Sequence, residues 1–186
     1  MTNKTTYKVP FRRRKEGKTN YKKRLSMLKS GTPRLVARRT NKYVIVQLIE
    51  YLDKGDKTIA HANSRELEKF GWKAGKKSVP AAYLTGLLAG SRAKKANVEN
   101  AILDIGFAIP KRKGWWASTL KGAIDAGLKI PAGEEAIPDE NRIKGKHIED
   151  FAKISKGKSF GKIKESDLEN TVKIFEEVKQ KILGAK

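Results

Sequence analysis

The sequence predicts an α/β fold: a mixed five-stranded sheet with helices on its faces, a basic N-terminal arm and a C-terminal helical appendage. Three observations lead there. Short β-branched runs follow one another with turn residues between them. Helical stretches then alternate with short apolar segments, and cations crowd into the first quarter of the chain. Composition shifts place an arm at residues 1–32, a core domain at 33–134 and the appendage at 135–186.

Taken in order, Tyr7-Lys8-Val9-Pro10-Phe11 reads as extended, because proline restricts the residue before it. Arg12-Arg13-Arg14-Lys15 is a continuous cationic block. Thr19 or Asn20 can cap a short helix carrying Tyr21, Leu25 and Leu28, which Gly31 and Pro33 end. Arg34 to Thr40, Tyr43 to Ile49 and Lys57 to Asn63 read as strands, with turns at Asn41-Lys42 and Asp53-Lys54-Gly55-Asp56. Such short separations predict an antiparallel meander.

The period then changes. Ser78-Val79-Pro80 opens a helix through Tyr83, Leu84, Leu87 and Leu88 to Lys95, with proline in its first turn. Its small-residue stripe of Gly86, Gly90 and Ala93 is expected to press against the sheet. Ala101 to Gly106 reads as a buried strand. Trp116, Leu120, Ala123 and Ile124 mark a second helix that Gly127 ends, and Leu128-Lys129-Ile130-Pro131 reads as a last strand. A strand–helix–strand connection favours a parallel pair. This strand order also occurs in the ribonuclease-H-like motif. From about Pro138 the chain reads as two further helices. Ser166-Asp167-Leu168-Glu169 forms a capping box, and Leu168, Val172, Phe175, Val178 and Ile182 share one face. That stripe must dock on the core or on another protein.

Charge narrows the function. The 186 residues carry 42 Lys and Arg against 20 Asp and Glu, a net charge of +22. Fifteen of those cations lie in residues 1–42 against a single acid, Glu16. A chain so basic repels itself, and closely spaced phosphates are its natural complement. The apolar share of 38%, with 16 glycines, still permits a core. Met1 to Pro10 has no signal-like apolar stretch, and no segment is long or apolar enough for a bilayer, so a cytoplasmic protein without membrane contact is expected.

Catalysis finds little support. Without cysteine there is no thiolate metal site or cysteine nucleophile, and a site built on His61 or His147 would need carboxylate partners in an arrangement that nothing near either residue suggests, so no metal or cofactor is expected. A two-metal nuclease needs several gathered carboxylates, one of them on the first strand. That strand carries Arg38 and Arg39 instead. Asp104 alone ends the fourth strand, where it fits better as a partner for backbone amides or a nearby cation. Gly71 to Ser78 and Gly157-Lys158-Ser159 miss the phosphate-loop spacing or its context. No enzyme emerges. A nuclease and a DNA-packaging protein remain the rival readings.

Longer motifs add to this. Tyr7 to Glu16, Thr19-Asn20-Tyr21, Arg24-Leu25 and Leu28 to Arg38 closely resemble the start of the large-subunit ribosomal protein eighteen family in its archaeal and eukaryotic branch. Ala82 to Gly90, Leu103 to Gly106 and Gly122 to Pro131 resemble its two main helices and fourth strand, and Arg142, Gly145, His147 and Ile148 echo a C-terminal signature. The resemblance spans about residues 7 to 150, and the length favours the archaeal form.

The resemblance implies binding to 5S ribosomal RNA and its attachment to 23S ribosomal RNA at the central protuberance. Neighbouring large-subunit proteins would be partners, and no homo-oligomer is expected. Arg12, Arg13, Arg14 and Lys15 are expected along phosphates, with Tyr21, Lys22 and Arg24 setting the arm helix against RNA. Arg38, Arg39, Asn41, Lys42 and Tyr43 resemble the family's strand edge that contacts 5S RNA. Asn41 could bond a base edge or ribose hydroxyl. Tyr43 could stack on a base, or equally be a half-buried strand residue. Lys111, Arg112 and Lys113 form a second basic loop able to touch either RNA. Trp115-Trp116 is not part of the pattern.

Overall fold

Alternating burial decides the sheet. In the computed structural model, which describes residues 8–155, 163 and 165–184, β1 (Arg34–Arg39), β2 (Val44–Leu52) and β3 (Gly55–Asn63) form the antiparallel meander. Along β2, Val44, Val46 and Leu48 are fully buried while Ile45, Gln47 and Ile49 are only partly covered. One face therefore meets the apolar core, and the other lines a polar cleft. At the first turn, the Thr40 amide donates to the Tyr43 carbonyl at 2.8 Å and the Tyr43 amide donates to Thr40 Oγ1 at 2.9 Å.

β4 (Ile102–Asp104) runs parallel to β1, with Leu35 opposite Leu103 and Val36 opposite Asp104. The order is β3-β2-β1-β4. Among the described residues the sheet thus has four strands, not five. Leu128 to Pro131 contributes only a bridge between Asn100 and Lys129. The reason is local. That run is short, and Pro131 offers no amide to extend a ladder. The fifth strand that the ribonuclease-H-like expectation required is missing.

Two helices precede the sheet, α1 (Arg12–Lys15) and α2 (Tyr21–Leu28). Asn20 caps α2, its Oδ1 accepting the Lys23 amide at 3.1 Å. Ser78 caps α3 (Val79–Lys95), with Pro80 in the first turn. Gly127 ends α4 (Trp115–Asp125), and the amides of Gly127 and Leu128 turn back onto the Ile124 and Ala123 carbonyls. The small-residue stripe of α3 meets α4, not the sheet as expected. A Cβ on Gly86 would stand 2.1 Å from the Thr119 carbonyl oxygen, and one on Gly122 would stand 2.1 Å from that of Tyr83. Reciprocal glycines bring the two backbones into direct contact. The stripe foretold a close approach, but not its partner.

The C-terminal part folds as α5 (Glu140–Lys144), α6 (Lys146–Ser155), α7 (Glu165–Glu169) and α8 (Thr171–Gly184). Its apolar stripe docks on the core. Phe175 stacks obliquely on Tyr83 with ring centroids 5.4 Å apart, and Phe175, Val178 and Ile182 join the cluster that includes Val46 and Leu84. Tyr7, Gly157-Lys158-Ser159 and the Ser166 side chain lie outside the described residues.

Candidate nucleic-acid interface

The arm is held to the sheet by charge. Arg24 on α2 makes a two-pronged bond to Asp56 on β3, at 2.9 and 2.8 Å. Arg34 on β1 bridges Asp56 at 3.0 Å and Asp104 on β4 at 3.1 Å. Arg38 closes the series on Asp104 at 3.1 Å and donates to the Asp104 carbonyl at 2.6 Å. Three guanidiniums thus interleave with two carboxylates in one ladder. Arg34 is 3% exposed and Asp104 6%, so their charges are stable inside only as a pair. The Arg24 hydrogen bonds hold the Asp56 carboxyl below its ordinary value, against the opposing pull of burial.

Asp104 also accepts the Gly106 amide at 2.8 Å. That is the amide- and cation-binding role its strand-end position suggested. A nuclease would need this carboxylate for a metal, and two arginines already occupy it. Among the described residues, no group of three or more His, Cys, Asp or Glu could hold a metal ion. No helix among them is long and apolar enough to cross a membrane.

The expected RNA-facing residues divide by what they touch. Arg12 to Lys15 form α1, all exposed, and Phe11 packs on Tyr21 at 5.1 Å to set α1 against α2. Arg13 Nε donates to Thr19 Oγ1 at 2.8 Å, and Arg12 lies 3.9 Å from Glu16. Arg14, Lys15 and Lys22 meet no carboxylate among the described residues. Asn41 and Lys42 stand exposed at the hairpin turn. Tyr43 is half-buried, with the Lys76 ammonium 5.7 Å above its ring. Arg24 and Arg38 differ from the rest, since their forks are engaged by the ladder.

The second basic loop is shaped by the tryptophan pair. Trp116 Nε1 donates to the Lys111 carbonyl at 2.9 Å, and Trp115 carries the Arg39 guanidinium 5.8 Å from its ring centroid. The loop is thereby joined to the first hairpin. Arg112 faces Glu135 at 3.5 Å and Lys113 faces Asp139 at 3.0 Å, whereas Lys111 turns toward a groove. Lys77, Arg142, His147 and Phe107 line that groove as well. Sequence reasoning gave Lys77 and Phe107 no role. For Arg142 and His147 its only signal was their place in a family-like motif. Burial, and then Arg142, hold the His147 imidazole below its ordinary value.

Residues 5–100 match the family described as ribosomal large subunit proteins 60S L5, and 50S L18. The large ribosomal subunit protein uL18 of Korarchaeum cryptofilum (strain OPF8) is 58% identical over 147 residues, spanning 78% of this chain and 75% of that protein. The uL18 of Ignicoccus hospitalis (strain KIN4/I) is 50% identical over 187 residues, spanning 95% of this chain and 91% of its own length. By the matched family and these identities, the chain belongs to the L5 and L18 family of large-subunit ribosomal proteins, archaeal type.

Proposed function

We propose that the chain, a structural constituent of the cytoplasmic large ribosomal subunit and not an enzyme, binds 5S ribosomal RNA and helps attach it to 23S ribosomal RNA at the central protuberance. The observation that carries this reading is the state of the arm. Its second helix, α2, is pinned to the sheet through Arg24 and Asp56, while Arg14 and Lys15 of α1 and Lys22 of α2 project exposed with no carboxylate partner among the described residues. Cations held in fixed positions and left without carboxylates suit a phosphate backbone. Asn41 and Lys42 at the hairpin turn would supply contacts to ribose or base edges. Neighbouring ribosomal proteins would complete the surroundings.

Salt tests the proposal. Engagement of about six to ten phosphates makes affinity for folded 5S RNA fall on the order of a thousandfold between 50 and 200 mM salt. Replacing Arg12, Arg13 and Arg14 by alanine should weaken binding and flatten that dependence. Equal affinity for duplex DNA in competition, or a slope that ignores the triple substitution, would overturn it.

A further inference from the structure

We infer that the groove beside Trp115 is a separate binding site for a short unpaired RNA strand. The inference rests on the chain being an RNA-binding protein, and adds to it a second site with its own ligand chemistry. Arg39, Lys77, Lys111 and Arg142 converge there from β1, the turn before α3, the loop before α4, and α5. No carboxylate lines the groove, and none of these four has an acidic partner among the described residues. The first turns of α3, α4 and α6 reach its wall, at Val79, Trp115 and His147. Their N-terminal amides add partial positive charge to the same space. Gly114 provides α4 with no side-chain cap.

Charge alone would suit any polyanion; the apolar residues decide. Phe107 is 56% exposed at the groove, and Trp115 is half-buried beneath Arg39. An acidic peptide or free phosphate has no use for an exposed ring among cations. A nucleotide strand has, because each base offers a face to stack while its phosphate meets Lys or Arg. A paired helix keeps those faces stacked internally and is recognised through backbone and minor groove. The groove therefore suits unpaired nucleotides. The exposed cations of α1 itself do not line it, and only Lys18 of the arm reaches its edge.

The test uses the full chain, a fluorescent eight-nucleotide oligoadenylate, folded 5S RNA, polyphosphate and polyglutamate. The double variant Lys77→Ala with Arg142→Ala should weaken oligoadenylate at least tenfold, and Phe107→Ala about tenfold. Phe107→Ala should leave polyphosphate unchanged, and the triple arm variant should retain oligoadenylate binding. Loss of oligoadenylate in the arm variant but not in the groove variants overturns the inference. So does polyglutamate or polyphosphate binding as tightly as oligoadenylate, with Phe107→Ala inert. A parallel loss of 5S RNA affinity in the groove double variant assigns the strand to 5S RNA; unchanged 5S affinity assigns it to another ribosomal RNA segment. Either supports the site. Failure of wild type to bind 5S RNA with steep salt dependence sinks the general function instead, so the two failures are distinguishable.

Discussion

Two arginine-rich regions flank Arg38 and treat the same side chain in opposite ways. In the cleft between arm and sheet, Arg24, Arg34 and Arg38 interleave with Asp56 and Asp104. In the groove near Trp115, Arg39, Lys77, Lys111 and Arg142 meet no acid among the described residues. The first region is internal structure and the second is open valence. What separates them is whether a carboxylate from a distant strand reaches the cation, which a count of Lys and Arg cannot report. Net charge points to a polyanionic partner; the pairing says which cations are available to it.

The largest expected effect tests the first region. Asp104→Ala would leave Arg34 buried and half-partnered, and should cost about 3–5 kcal/mol of stability in urea unfolding. The groove variant Lys77→Ala with Arg142→Ala should stay within about 0.5 kcal/mol of wild type. Equal losses in the two proteins would break the contrast.

Gly106→Ala should come next. Its φ of +64° suits glycine, and a Cβ there would lie 2.9 Å from Arg38 Cζ. A loss of about 1–3 kcal/mol in thermal unfolding is expected. Smaller still is the acid response of Asp56. Its folded carboxyl titrates below its unfolded value, so its contribution is complete above the ordinary carboxylate range and fades as pH falls through the folded value. Arg24→Gln should remove much of that fade when unfolding is followed from pH 5 to pH 2. An unaltered acid profile would mean that the ladder does not include α2.

The smallest effect concerns His147. Burial and Arg142 disfavour its proton and Asp150 favours it, while Lys77, Lys111 and Arg39 share its groove. A phosphate arriving there opposes the first two influences and draws a proton in. Oligoadenylate should bind a few-fold tighter, on the order of threefold, as pH falls from 7.5 to 5.5, below the limit of about tenfold per pH unit that uptake of one proton sets. His147→Ala should make the profile flat in this range. A wild-type profile equally flat would place the phosphates away from His147.

Local chemistry made much of this legible. Ser78 with Pro80 announced α3, Gly127 announced the end of α4, and the Asn41-Lys42 turn fixed the first hairpin. Pairing over long separations did not show. Asp104 reaches Arg34 and Arg38 only because β4 lies parallel to β1, and Asp56 reaches Arg24 only through the return of β3. Gly122 gives meaning to Gly86 only once α3 and α4 cross. The last strand reduces to a bridge because the run Leu128-Lys129-Ile130-Pro131 is short, and one ending in proline fits a bridge as well as a ladder. Arg39 and Lys111 were visible as cations, but the Trp115-Trp116 pair that joins their surroundings offered no pattern without coordinates.

The clasp between Arg24 and Asp56 has a consequence for assembly order. A tail that is free to writhe must surrender that freedom when it meets its target, and the encounter is weakened accordingly. Here the bend is set beforehand, so the incoming nucleic acid finds a finished shape and loses little of its grip to ordering the protein.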